Sequence, residues 1–131
     1  MEYEGEYLYN KKWSGKGYDE NGNIIYELID GNGKVKEYWD NGELMFEGEY
    51  LKGKKNGRGK EYYYYGKLSF EGEYLNGKLN GKGKEYNEDG ILIFEGEYLN
   101  GKRNGKGKEY KNGKLVFEGE YLNVERKSGI I

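Results

Sequence analysis

The sequence contains no cysteine, histidine, proline, alanine, threonine or glutamine. Without cysteine there are no disulfides and no thiolate chemistry. The serines, at Ser14, Ser69 and Ser128, have no histidine or cysteine partner that would make an activated nucleophile. These absences exclude the usual hydrolase triads, so we expect a protein without enzymatic activity, cofactor or small-molecule substrate.

Long apolar runs and an excess of one charge are missing as well. No segment approaches the roughly 20 apolar residues needed to cross a bilayer. Lys and Arg number 22 against 24 Asp and Glu, for a formal net charge of −2. Nucleic-acid binding normally needs a basic face, so no nucleic-acid partner is expected. We expect a soluble, intracellular protein.

Aliphatic residues are scarce, and aromatic residues and glycine take their place. Ile, Leu, Val and Phe together occupy only 25 of 131 positions, whereas the chain has 16 Tyr and 24 Gly. Tyrosine rings bury large apolar areas. The composition therefore predicts a folded chain with a thin core built from rings.

An internal repeat dominates the sequence. The segment FEGEYL begins at Phe46, Phe70, Phe94 and Phe117, and a variant, YEGEYL, begins at Tyr3. Self-similarity at a fixed period is typical of repeat architectures. We divide the chain into one continuous array with units at residues 3–25, 26–45 (degenerate), 46–69, 70–93, 94–116 and 117–131 (a partial cap).

Alternation within each unit predicts two β-strands. Phe94, Gly96 and Tyr98 share one face of the first strand, and Glu95 and Glu97 share the other. In the short unit, a Gly31-Asn32 turn would set Leu28 opposite Val35, at the positions that Gly96 and Gly107 occupy in the full unit.

The same register in the full unit pairs Gly96 with Gly107, Glu95 with Lys108 and Glu97 with Lys106. Residues 99–104 then form the hairpin loop. Two facing glycines leave room for rings over the backbone.

Successive units are expected to pair with each other. A turn through residues 110–114 with a bulge at Gly113 would place Gly107 opposite Phe117 and Lys106 opposite Glu118. In the longer units the extra residue falls in this turn. The alternation along the strand places Glu109 on the face that carries Phe94, Gly96 and Tyr98, called here the aromatic face. It places Tyr110 on the opposite face. A local bulge could exchange the two residues.

The unit FEGEYLNGKRNGKGKEYKNGKLV, residues 94–116, resembles the MORN repeat, whose pattern is an aromatic-x-Gly-x-aromatic strand, a glycine-containing loop and a Gly-x-Gly strand. The segment KEYKNG is similar to the variant MORN repeats of bacterial proteins. The resemblance implies an all-β fold: an elongated, single-layer, twisted antiparallel sheet of tandem β-hairpins. It also implies a scaffold, dimerisation or partner-binding role, with lipid binding as a further association.

An open sheet cannot cover its apolar face without help, so we predict a groove on that face for a partner helix or peptide. The same rings are alternatively plain core. The groove candidates are Phe46, Tyr50, Phe70, Tyr74, Phe94, Tyr98, Phe117 and Tyr121. The expected function is protein–protein interaction through this groove or through the sheet ends. Exposed end strands make end-to-end homodimerisation a prediction, with Ile130 and Ile131 as a cap.

Two alternatives remain open. Loop cations could attract anionic phospholipid headgroups; the candidates are Lys54, Lys55, Arg58, Lys78, Lys102 and Arg103. The restricted alphabet also fits a consensus-like or designed repeat with no natural ligand. Recurrent glutamates such as Glu95 and Glu97 favour an ion-paired face over a catalytic pair, and no motif predicts a metal site.

Overall fold

The computed structural model describes residues 2–8 and 11–125. In these ranges the chain is all β, without a helix, as predicted. The strands are β1 (Glu2–Leu8), β2 (Lys11–Tyr18), β3 (Ile24–Leu28), β4 (Gly33–Tyr38), β5 (Leu44–Leu51), β6 (Lys54–Tyr62), β7 (Leu68–Leu75), β8 (Lys78–Tyr86), β9 (Leu92–Leu99), β10 (Lys102–Lys111) and β11 (Lys114–Glu125).

Except for β3 and β4, each strand pairs with its neighbours in the sequence, and every pairing is antiparallel. Strands β4 to β11 form an eight-stranded open sheet, and β1 to β3 form a three-stranded one. A single bridge between Ile29 and Asn32 closes the β3–β4 hairpin between them. Ile130 and Ile131 lie outside the described residues, so the capping role stays a prediction.

Hairpins within the repeats close through two-residue turns. Asn100 and Gly101 have φ values of 52° and 85°, the conformation of the tight turns that Asn-Gly favours. The predicted loop 99–104 is therefore wrong, because β9 runs to Leu99 and β10 starts at Lys102. The short unit likewise turns at Asp30-Gly31 rather than at Gly31-Asn32, so the predicted position of this turn is wrong. The pairing of Leu28 with Val35 stays a prediction.

A bulge in β10 replaces the predicted loop. Gly96 pairs with Gly107 and Glu95 with Lys108, as predicted. The register then shifts before Arg103 pairs with Tyr98, which leaves extra residues in β10. The predicted Glu97–Lys106 pair is lost, since the Lys106 backbone N–H donates to the Glu97 carboxylate at 2.7 Å instead.

Between repeats, glycine pairs with glycine rather than with phenylalanine. Gly107 faces Gly119 and Lys106 faces Glu120, so the predicted pairing of Gly107 with Phe117 is wrong. The reason is the two-residue turn at Asn112-Gly113, with a bulge between Glu109 and Tyr110. A continuous glycine row therefore crosses β5 to β11; its members are Gly48, Gly59, Gly72, Gly83, Gly96, Gly107 and Gly119.

The degenerate unit, residues 26–45, has aliphatic residues at the positions of this row. Val35 pairs with Gly48, and Leu28 pairs with Gly15. Leu28 and Val35 are buried together with Tyr26 in a small second core. Their correspondence to the glycine positions of the full repeats is confirmed.

Candidate functional site

The rings predicted to line a groove form the closed core of the aromatic face. Phe46, Phe70 and Phe94 are at most 1% exposed, and Tyr74 and Tyr98 are also buried. Tyr50 and Tyr121 are partly buried against this cluster. Only Phe117 is substantially exposed, at 45%. The structure brings these residues together, but it leaves no open aromatic groove among the described strands.

The glycine row explains why this face closes. A methyl carbon built on Gly107 would lie 2.7 Å from the Phe94 ring, so only glycine lets the ring rest on the backbone. Phe94 then meets Tyr98 and Tyr121 edge to face at 5.7 and 5.3 Å. Edge-to-face contacts of this kind stabilise aromatic cores by about 0.5–1.5 kcal/mol each.

The second residues of β6, β8 and β10 occupy the same position in their repeats, and their side chains pack on the rings of the aromatic face. Lys55 places its Nζ 4.2 Å from the centre of the Phe46 ring, Leu79 is buried, and the Arg103 guanidinium lies 4.0 Å from the centre of Phe94. Arg103 also pairs with the buried Glu85 carboxylate at 3.0 Å. Arg103 is thus a packing residue rather than an exposed loop cation, and Lys55 is half-buried.

Carboxylates on the aromatic face accept hydrogen bonds from tyrosine hydroxyls. Tyr50 donates to Glu37 at 2.8 Å, and Tyr98 donates to Glu85. Burial, together with the charge of Glu109, raises the pKa of Tyr121 to about 12. Glu109 faces Phe94 on this side of the sheet, whereas Tyr110 donates to Glu95 on the other. The parity assignment of Glu109 and Tyr110 is confirmed.

The opposite face, here called the charged face, carries two rows of acidic and basic residues that flank the glycine row. On β9 the flanking residues are Glu95 and Glu97, and on β8 they are Lys82 and Lys84. The register pairs Glu with Lys or Arg along both rows. Lys108 Nζ, for example, lies 3.9 Å from the Glu118 carboxylate, with both side chains well exposed.

An open groove of about 950 Å³ runs along the charged face over β6 to β11, and we call it the charged groove. Its floor is the glycine row from Gly72 to Gly119, and its walls are the charged rows. The hydroxyls of Tyr86 and Tyr110 donate to the wall residues Glu71 and Glu95 at 2.7 and 2.6 Å. A second hollow of about 330 Å³ continues it toward β4.

Sequence reasoning missed this groove, although its signal was present. The pattern Lys-Gly-Lys against Glu-Gly-Glu fixes the two rows, but in the sequence alone it is equally typical of a solvated, ion-paired face. Arg58, one of the predicted lipid-binding cations, lines the charged groove. The groove therefore lies on the face opposite to the predicted one.

The tight turns of the full repeats stack along one edge of the sheet, called here the tip edge. The N–H of Gly77 donates to the carbonyl of Lys55, and the N–H of Gly101 donates to that of Leu79. Beside these turns, Leu75 pairs with Lys78 and Leu99 with Lys102. The leucines of this edge are exposed; they are Leu51 at 46%, Leu75 at 50% and Leu99 at 45%.

The longer turns stack along the other edge. The indole N–H of Trp39 donates to the backbone carbonyl of Tyr62 at 3.1 Å, and the hydroxyl of Tyr63 donates to the backbone carbonyl of Tyr86 at 2.7 Å. Tyr65 repeats this contact with Glu88. These side-chain bonds tie successive repeats together in addition to the strand ladders.

Across residues 2–8 and 11–125, no three His, Cys, Asp or Glu side chains gather in a group that could hold a metal ion. Over the same ranges, no helix is long and apolar enough to cross a membrane.

Comparison with known protein families identifies the repeat. The family model described as MORN repeat matches residues 46–64, 70–91 and 94–115. The model described as MORN repeat variant matches residues 31–52. These matches together span more than half of the chain, and three of them start at Phe46, Phe70 and Phe94. No individual curated protein matched the chain.

Proposed function

The chain belongs to the MORN repeat family, and on that premise we propose that it is an interaction module that binds a partner protein through the charged groove. MORN repeats are commonly protein- or membrane-interaction modules, and the family is generally non-catalytic. The observation that supports the proposal is the groove itself, which is concave and has a volume of about 950 Å³. On the opposite face, the aromatic rings are buried against one another and leave no groove among the described strands. Concave surfaces are where proteins usually bind ligands.

Affinity capture with the whole chain tests the proposal. The groove variant K82Q/K84Q removes two cations from the walls without placing like charges opposite Glu95 and Glu97. The matched control, K54Q/K78Q, removes two cations from the strand starts at the tip edge. We expect a protein that is retained by the wild type and by the control and is lost from the groove variant. Equal retention by both variants would rule out the groove as the binding surface.

A second candidate function is peripheral binding to anionic phospholipid through the tip edge. The specific observation is the row of exposed leucines at Leu51, Leu75 and Leu99, each paired with a lysine at the start of the next strand. Apolar residues next to cations are typical of segments that bind at a membrane interface. This arrangement includes Lys54, Lys78 and Lys102 from the predicted set and leaves out Lys55, Arg58 and Arg103.

Co-sedimentation with vesicles that contain phosphatidylserine tests this candidate. We expect binding at low salt that decreases at high salt, because surface attraction is screened. The variant L75S/L99S should reduce binding, and L115S, at an exposed leucine of β11 outside the tip-edge row, is its control. No binding at low salt, or equal binding by both variants, would remove the candidate.

A further inference from the structure

The sign of the charge alternates from strand to strand along the charged groove. Strand β9 contributes Glu95 and Glu97, one to each wall, around Gly96. Strand β10 contributes Lys106 and Lys108 around Gly107 in the same way. Both walls are therefore acidic at one strand and basic at the next. A ligand that lies along the groove meets alternating stripes of charge rather than a field of one sign.

The stripe spacing follows from the geometry of a β-sheet. Neighbouring strands are about 4.8 Å apart, so stripes of the same sign recur about every 9.6 Å. From β6 to β11 there are six stripes, which span roughly 24 Å. Polyanions and polycations meet as much repulsion as attraction on this surface. The best ligand carries both signs and changes sign about every 5 Å.

Among regular polypeptide conformations, an α-helix fits this spacing. Residues on one face of a helix recur alternately at i+3 and i+4, which gives a mean advance of about 5.3 Å for each step. Residues on one face of an extended strand recur every ~6.8 Å, so an extended peptide loses phase with the stripes after two steps. Long Glu, Lys and Arg side chains absorb the remaining half ångström per step of the helix.

We infer that the ligand of the charged groove is an α-helix of near-zero net charge, about 16 residues long, with acidic and basic side chains alternating along one face. This inference rests on the proposed function and gives the chemistry of the partner. Acidic groups of the helix meet the basic stripe formed by Lys82 and Lys84 on β8, and basic groups meet the acidic stripe formed by Glu95 and Glu97 on β9. Charge complementarity of this kind sets register and partner choice.

Three synthetic helices of equal length test the inference by fluorescence anisotropy with the whole protein at low salt. The first alternates Glu and Lys at i, i+3 and i+7 along one face. The second has the same composition, with the acidic residues in one half and the basic residues in the other. The third has only Glu on that face. We expect the alternating helix to bind at least about tenfold more tightly than the others, because several exposed charge pairs each contribute modestly.

Variants locate the site and separate the possible failures. K82Q/K84Q should weaken the alternating helix several-fold, and a helix with Gln in place of its central acidic residues should bind wild type and variant equally. K54Q/K78Q should bind like wild type, and circular dichroism checks that each variant folds. Equal binding of the alternating and block helices would overturn the inference. Capture of a protein that is sensitive to K82Q/K84Q, without binding of the alternating helix, would leave the proposed function standing and reject the helix.

Discussion

Arg103 and Glu85 form an ion pair across β9, with the guanidinium Nε 3.0 Å from a Glu85 carboxylate oxygen and both side chains at most 4% exposed. A second nitrogen of Arg103 lies 3.0 Å from the other oxygen, so the pair is bidentate. Tyr98 donates to the same carboxylate from the strand between them. The pair thus ties β8 to β10 above the core ring of Phe94.

Removing the guanidinium should destabilise the fold strongly. We expect R103L to lower the free energy of unfolding by about 3–5 kcal/mol, because the Glu85 carboxylate stays buried without its cation. Leucine occupies the equivalent place in the preceding repeat at Leu79, so the loss cannot be attributed to an unsuitable side-chain size. The control R58L, at an exposed arginine, should change the free energy of unfolding by about 0.5 kcal/mol or less. Urea denaturation measures both, and equal effects would contradict the assignment.

A side chain on the glycine row should disrupt the packing of the rings. A methyl carbon on Gly96 would lie 2.6 Å from the Lys106 carbonyl oxygen and 2.7 Å from the Gly107 Cα, so the paired backbones must move apart. We expect G96V to lower the free energy of unfolding by about 3 kcal/mol.

The control for this substitution is G113N, in the turn between β10 and β11. Gly113 has open space around it, and asparagine tolerates its positive φ of 80°. We expect G113N to lower the free energy of unfolding by about 1 kcal/mol or less. Thermal melting compares the two variants, and a G96V protein as stable as G113N would show that the glycines do not serve the packing.

Alkaline pH should unfold the protein through its tyrosines. The pKa of Tyr121 is raised to about 12, and burial also raises the pKa values of Tyr50, Tyr62 and Tyr86. In the unfolded chain these pKa values are about 10. Because the folded state holds these protons more tightly, the free energy of unfolding is constant below pH about 10 and decreases as the pH rises from there through about 12.

Denaturant titrations between pH 8 and 12, followed together with tyrosinate absorbance, measure this dependence. Y121F should make the decrease with pH shallower, since it removes one of the titrating groups. The exposed Tyr64 supplies the control variant Y64F, which should leave the slope unchanged. A slope that is identical in all three proteins would contradict the assigned pKa of Tyr121.

Much of the fold follows from the sequence because the repeat encodes the two faces directly. The alternation of Phe94, Gly96 and Tyr98 with Glu95 and Glu97 is sufficient to predict the strands, and alignment with the short unit predicts the Gly96–Gly107 pair. The tight Asn-Gly turns have their own dipeptide signal, and Asn100-Gly101 therefore closes the hairpin in two residues rather than through a loop at residues 99–104.

The bulges and the position of the groove could not be predicted from alternation alone. The bulge in β10 depends on Gly105, with φ 104°, and on the Glu97 carboxylate that binds the Lys106 N–H, which are three-dimensional contacts. The aromatic face has no open groove because its rings pack over the glycine row when the strands pair. The open groove therefore lies on the charged face. Periodicity assigns residues to a face, but it does not say which face is filled by its own side chains.

The most direct test of the account is a lysine footprint of the whole protein with its captured partner. Acylation of each lysine is measured by mass spectrometry in the free and bound states. We predict that Lys82, Lys84 and Lys106 in the charged groove become protected, while Lys54 and Lys78 at the tip edge react as before. Protection confined to the tip edge, with the groove lysines unchanged, would contradict the central claim that partners bind in the charged groove.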